Sequence, residues 1–179
     1  ADMRALLSLN ALAVLGLDIS KWAVISAAKQ SALSNDGRPN WVVGSNANLP
    51  VLPGTLDRVL CMFGFPVYAE FARVLKANGQ LLQVDAGPDH LRELREIIYP
   101  TLKPERPTDD QAPAGFVSLS SETIRFPLAL SGAAQIADLL AMTPHLYRAS
   151  AEGRAKAAAL TALSVTVDVR LTRFGRSAG

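Results

Sequence analysis

One cysteine, Cys61, stands alone in a chain of 179 residues. A lone thiol excludes an internal disulfide framework and any multi-cysteine zinc site. In the run Val59-Leu60-Cys61-Met62-Phe63 it reads as a small core residue. Long apolar runs are also missing, since none reaches the roughly 18 residues that a membrane-spanning helix needs. The first residues, Ala1 to Leu7, carry no cleavage pattern and look like the middle of an amphipathic helix rather than a signal peptide. Neither sign of charge dominates: 18 Lys and Arg against 16 Asp and Glu leave a net charge of +2, which permits an RNA partner without demanding one. No GxG occurs anywhere, so the sequence lacks the glycine-rich turn with which a backbone closely approaches a bound ligand. The expected compartment is the cytoplasm, with no membrane partner and no metal site in these residues.

What is present begins with Leu12 to Leu17, which has the length and composition of a buried strand and ends in Asp18. Ser20 is placed to cap the helix that follows, where Ala23, Val24, Ala27 and Ala28 recur at helical spacing. An acid at the carboxyl end of a parallel strand faces the crevice where doubly wound sheets bind ligands.

Further along, the chain alternates. A helix from Asp2 to about Leu9 precedes the first strand, and turn residues fill Ser34 to Asn40. Short strands are expected at Trp41–Gly44, Leu56–Phe63 and Gln80–Val84, with helices at Val67–Lys76 and Asp89 to about Ile98. Phe71, Val74 and Leu75 face inward from the first of these two helices, with Asn78-Gly79 as its C-cap. Residues 101–118 form a flap or substrate loop, broken by Pro104, Pro107 and Pro113 beside Asp109 and Asp110. Then come a strand at Thr123–Leu130, where Pro127 marks an edge or bulge, and helices at Gly132–Met142 and Ala151 to about Leu163. Val165 to Leu171 alternates cleanly and reads as a terminal, half-exposed antiparallel strand. Short-spaced strands and helices predict βαβ units, hence one α/β domain over residues 1–179 with a mainly parallel sheet and an antiparallel terminal strand.

Five segments in order carry a resemblance. Asp18-Ile19-Ser20-Lys21, Gly44 to Pro50 and Glu70 to Gly79 follow the order of class I S-adenosylmethionine-dependent methyltransferases. Gly87-Pro88-Asp89-His90-Leu91-Arg92-Glu93-Leu94 and Met142-Thr143-Pro144-His145-Leu146-Tyr147-Arg148-Ala149 narrow the match. Together they resemble the bacterial 23S rRNA (guanine-N1) methyltransferases, whose relatives include macrolide-resistance enzymes. The resemblance implies a Rossmann-like fold, S-adenosylmethionine as cofactor and ribosomal RNA as partner. It implies that Asp18 binds the cofactor ribose, that Asn46 and Ala47 meet the adenine, and that His90 touches the cofactor. Phe63, Gly64 and Pro66 fall where class I base methyltransferases hold the target base, and Arg92, Arg95, Lys103, Arg106 and Arg148 could line an RNA path. Asp85, at a strand end, is the candidate acceptor for the guanine N1 proton.

The family also carries an N-terminal zinc module of cysteines and histidine, which one cysteine cannot supply; zinc therefore belongs only to that absent module. Aligned to the family, Ala1 falls just after the glycine-rich loop, so the first strand of the sheet is missing from the sequence as given. That strand would lie between the strands at 12–17 and 57–63. Its loss leaves two central strands without a shared partner, and each unpaired buried backbone group costs about 1–3 kcal/mol. A preceding segment, a rearranged sheet, another chain or a swapped copy would repair it, and the first is favoured. Two rival functions remain: a non-catalytic methyltransferase-like domain that dimerises or binds a partner, and a small-molecule methyltransferase.

Overall fold

The computed structural model describes residues 13–33, 39–102, 111–143 and 145–177, without the side chains of 146 and 147. The helix expected at Asp2–Leu9, the turn residues 34–38, the flap residues 103–110 with Lys103 and Arg106, and Pro144 lie outside the described residues.

The first unit is parallel: β1 (Leu15–Asp18) pairs with β2 (Asn40–Val43), joined by helix α1 (Lys21–Ala32). Ser20 does cap α1, its Oγ accepting the Ala23 N–H at 3.2 Å. Trp41 lies flat on Gly16, where a Cβ would come within 2.3 Å of the indole ring, and its Nε1–H donates to Ser31 Oγ at 3.1 Å. Only glycine leaves that ring room on the strand.

The second unit is a four-stranded mixed sheet in the order β3 (Leu56–Met62), β4 (Leu75–Ala86), β6 (Ala162–Arg176), β5 (Phe116–Ser131). β3 and β4 run parallel, linked by α2 (Tyr68–Val74), whereas β6 is antiparallel to both β4 and β5. Among the described residues β1 and β3 share no ladder with each other, and each has one strand neighbour.

Alternation along β6 puts Phe174 and Val165 on opposite faces, and a core forms against each. One gathers Cys61, Phe71, Leu75, Leu81, Phe116 and Phe174 beneath α2. The other gathers Leu91, Leu94, Ile98, Leu140, Ala149, Ala157 and Val165 from α3 (Arg92–Ile98), α4 (Ala133–Ala141), the single turn α5 (His145–Arg148), α6 (Ala151–Ala158) and the sheet. Cys61 is buried, as its apolar surroundings suggested.

Several boundaries differ from expectation. Asn78-Gly79 is no C-cap: α2 stops at Val74, and Leu75 already pairs with Leu56 as the start of β4. Residues 76–79 loop out before pairing resumes at Gln80 with Arg58, and Lys76 is held there by Asp57 at 2.7 Å. Strand β6 is antiparallel and largely half-exposed, as expected, and it lies between β4 and β5; among the described residues β5 is the edge strand, which fits Pro127. β5 starts at Phe116, before the expected end of the flap at 118, and α6 ends at Ala158, well short of Leu163.

Leu94 is fully buried between the helices and the sheet. Leu94→Ala is expected to cost about 2–5 kcal/mol, since the surrounding helices fill such a cavity only partly; denaturant titration measures it, and a loss below about 1 kcal/mol would contradict this packing.

Candidate functional site

The carboxyl ends of the parallel strands carry a line of side chains that the backbone ties together. At the end of β1 the Asp18 carbonyl accepts the Gly44 N–H at 3.0 Å, while its exposed carboxylate accepts the Ser20 N–H at 2.7 Å. The carboxylate is thus oriented at the start of α1, with the positive end of the helix dipole behind it. After β2, Ser45 closes a tight turn, its Oγ accepting from Ala47 N and its carbonyl from Asn48 N. Asn46 leaves this turn and donates its amide Nδ2–H to the Phe65 carbonyl at 3.1 Å, bridging to the loop after β3.

Two charged residues on α2 hold the Asn46 loop in place. Glu70 accepts the Leu49 N–H at 2.9 Å, and the Arg73 guanidinium donates to the carbonyls of Val51 and Leu49 at 2.9 and 3.0 Å while paired with Glu70 at 2.8 Å. Arg73, helped by the Leu49 N–H, holds the Glu70 carboxyl down to about 2.

Past β3, Phe63 takes a left-handed backbone with φ of 51°, a conformation that costs a bulky residue of order 1–3 kcal/mol. Its N–H still donates to Val84 O at 2.9 Å, so the strain turns its ring aside from the ladder. That ring, 54% exposed, stacks on His90 with centroids 5.4 Å apart and planes 27° off parallel. Pro66 is half-buried in the same loop, ahead of α2. Burial pushes the His90 imidazole below its ordinary value; the Asp168 charge opposes this and Arg95 adds to it.

Asp85 lies two residues before Gly87, and its carboxylate accepts from Gln83 Nε2 at 2.8 Å. Gln83 in turn accepts from the Tyr68 hydroxyl at 3.0 Å, so Asp85 ends a buried polar relay from α2. Arg92 forms ion pairs with Asp89 and Glu96, both at 2.9 Å. Arg148, on α5, stands exposed near Tyr99 and His145, whose ring Nδ1 lies 2.8 Å from the Tyr99 hydroxyl.

Asn46, Phe63, Pro66 and His90 are therefore brought together, Asp18 joins them through Gly44, and Ala47 serves the turn. Arg92 and Arg148 stand on α3 and α5, off that line. Four residues in this arrangement escaped sequence reasoning: Glu70 and Arg73, which anchor the Asn46 loop, and Thr166 and Asp168, which hold the His90 turn. For Asp168 a signal existed, since it is the sole acid of its strand, among three arginines.

Comparison with known proteins gives the fold. No protein-family model matches the chain. It is 31% identical over 159 residues to YxjB of Bacillus subtilis (strain 168), to which a 23S rRNA (guanine-N(1)-)-methyltransferase activity is provisionally assigned; the match takes in 86% of this chain. The chain spans 54% of the length of that relative. A SAM-dependent methyltransferase of Methanosarcina mazei superposes with a TM-score of 0.58 at 12% identity, covering 98% of this chain and 86% of that one. A protein solved in work on the conversion of a disulfide bond into a thioacetal group during echinomycin biosynthesis gives 0.64 at 14% identity, covering 98% and 71%. The chain carries the Rossmann-like fold of class I S-adenosylmethionine-dependent methyltransferases.

Because the Glu70 pKa is depressed in the folded state, the stabilisation it confers is complete above its unfolded value and is lost as the pH falls from about 5 toward 2. Denaturation midpoints measured across this range should fall less steeply in Glu70→Gln than in the parent; parallel curves would contradict the anchoring role.

Proposed function

We propose that this chain forms most of the catalytic domain of an S-adenosylmethionine-dependent methyltransferase that modifies guanine N1 in large-subunit ribosomal RNA, in the cytoplasm. The observation that carries the methyltransferase reading is the line from Asp18 through Asn46 and Phe63 to His90 along the carboxyl ends of the parallel strands, where doubly wound folds bind nucleotides. The RNA substrate is supported by the similarity to the Bacillus subtilis relative.

The residues suit the cofactor chemically. Asp18 presents an exposed carboxylate that can accept hydrogen bonds from two ribose hydroxyls. With its Nδ2–H given to Phe65, Asn46 has its carbonyl oxygen for an adenine amino group, and Ala47 shapes the turn. S-adenosylmethionine supplies an electrophilic methyl group at such a site. Phe63 and Pro66 then offer apolar surface to a base extruded from its stack. Asp85, hydrogen-bonded by Gln83, would take the N1 proton. Arg148 contacts phosphate, and Arg92 does so when it exchanges an ion pair for one.

Among the described residues β1 and β3 each pair on one side alone, which favours a second reading, in which a strand of a partner or of a second copy pairs there and the domain acts by assembly.

The test uses the full-length protein with S-adenosylmethionine and unmodified 23S rRNA, followed by nucleoside digestion and mass spectrometry. The expected product is 1-methylguanosine, and Asp18→Ala should weaken cofactor binding roughly ten- to hundredfold by calorimetry. Methylation of small nucleophiles without RNA would move the substrate class, and absence of cofactor binding would overturn the reading.

A further inference from the structure

The turn that carries His90 is held from the far side by one residue of β6. Asp168 makes three hydrogen bonds to it: its carbonyl accepts the Gly87 N–H at 2.8 Å, its carboxylate Oδ2 accepts the Asp89 N–H at 3.0 Å, and its own N–H donates to His90 Nδ1 at 3.3 Å. Asp168 is 3% exposed, and a Cβ at Gly87 would come within 2.5 Å of its carboxylate, so the contact requires glycine there. Thr166 completes the grip, taking the Leu91 N–H on its carbonyl and giving its N–H and hydroxyl to Glu93. A ring nitrogen that accepts an N–H carries no proton, so the proton of a neutral imidazole must sit on the other nitrogen.

We propose that Asp168 is a positioning residue that fixes His90 as its Nε2–H tautomer, so that an uncharged N–H donor stands at the carboxyl ends of β3 and β4 for an oxygen acceptor of the bound substrate or cofactor. Stacking on Phe63 fixes the plane of that ring. Among the described residues, the charged and titratable groups facing it are Asp168 from β6, Arg95 from α3 and His145 from α5. Burial and Arg95 keep the ring neutral, and Asp168 alone works the other way. A neutral donor can serve a carboxylate of the cofactor or a carbonyl of the base; both present the same oxygen acceptor.

The first arm of the test needs no activity. In full-length protein labelled with 15N-histidine, with His90 identified by the signal lost in His90→Gln, the Nδ1 resonance should be of the unprotonated type and Nε2 of the protonated type at neutral pH. Asp168→Asn should lower the His90 titration midpoint further, because it removes the one negative charge that favours the imidazolium. An Nδ1–H tautomer, or an imidazolium at neutral pH, overturns the proposal. The second arm rests on the proposed function. Gln places an amide N–H near the Nε2 position, and Asn reaches only the Nδ1 position. His90→Asn should lose about tenfold while His90→Gln stays within a few-fold. The loss falls in S-adenosylmethionine affinity if the acceptor belongs to the cofactor, and in kcat on RNA at unchanged cofactor affinity if it belongs to the base. Equal behaviour of the two variants overturns the assignment. A protein that proves inactive leaves the tautomer measurement intact, so failure of the function and failure of this proposal are told apart.

Discussion

Arg73 ties the two sheets together. Strands β1 and β3 share no ladder among the described residues, so the placement of the first unit depends on the loop that leaves β2. The Arg73 guanidinium fixes that loop with two carbonyl contacts and steadies Glu70, which takes the Leu49 N–H. Asn46 adds a bond to the Phe65 carbonyl, and Leu49 packs against the core under α2. An arginine suits this task because its planar fork serves a carboxylate and two carbonyls at once, which a lysine ammonium cannot do with the same geometry. Loosening it would let Asp18 and Asn46 drift from Phe63 and His90, and a cleft needs all four in register.

At the other end of this line of residues, the stretch from Gly87 to Leu94 has a physical reason at nearly each position. Gly87 leaves room for the Asp168 carboxylate, and Leu91 takes a left-handed backbone with φ of 51° that buries its side chain and ends the turn before α3. Glu93 bonds Thr166 twice, and Leu94 fills the core. Most of this motif is scaffold, and it leaves the His90 ring stacked on Phe63. The turn is hydrogen-bonded from β6, a strand remote in sequence, so its hold does not rest on local bonds alone.

Much of the fold was legible because it is local. The sequence pattern marked β1, β2 and β3 closely and the middle of β4, β5 and β6, the Ser20 cap marked the start of α1, and the inward face of α2 followed from Phe71 and Val74. What was missed is long-range. Asn78-Gly79 has the chemistry of a C-cap, yet pairing of Leu75 with Leu56 converts the chain to strand well before it. The clean alternation of β6 marked an antiparallel strand, whereas its place between β4 and β5 follows from pairing with strands remote in sequence. Of the candidate site, Asp18 was visible as an acid at a strand end, and Asn46, Phe63 and His90 came with the family resemblance, whereas Glu70, Arg73, Thr166 and Asp168 work through long-range contacts.

The central claim is that these strand ends form one cofactor cleft. A crystal structure of the full-length protein with S-adenosylhomocysteine tests it most directly. The account predicts the ribose hydroxyls on the Asp18 carboxylate, the adenine beside Asn46, and the thioether facing the Phe63–His90 pair. A cofactor bound elsewhere, with Asp18 and Asn46 both out of contact, would contradict it.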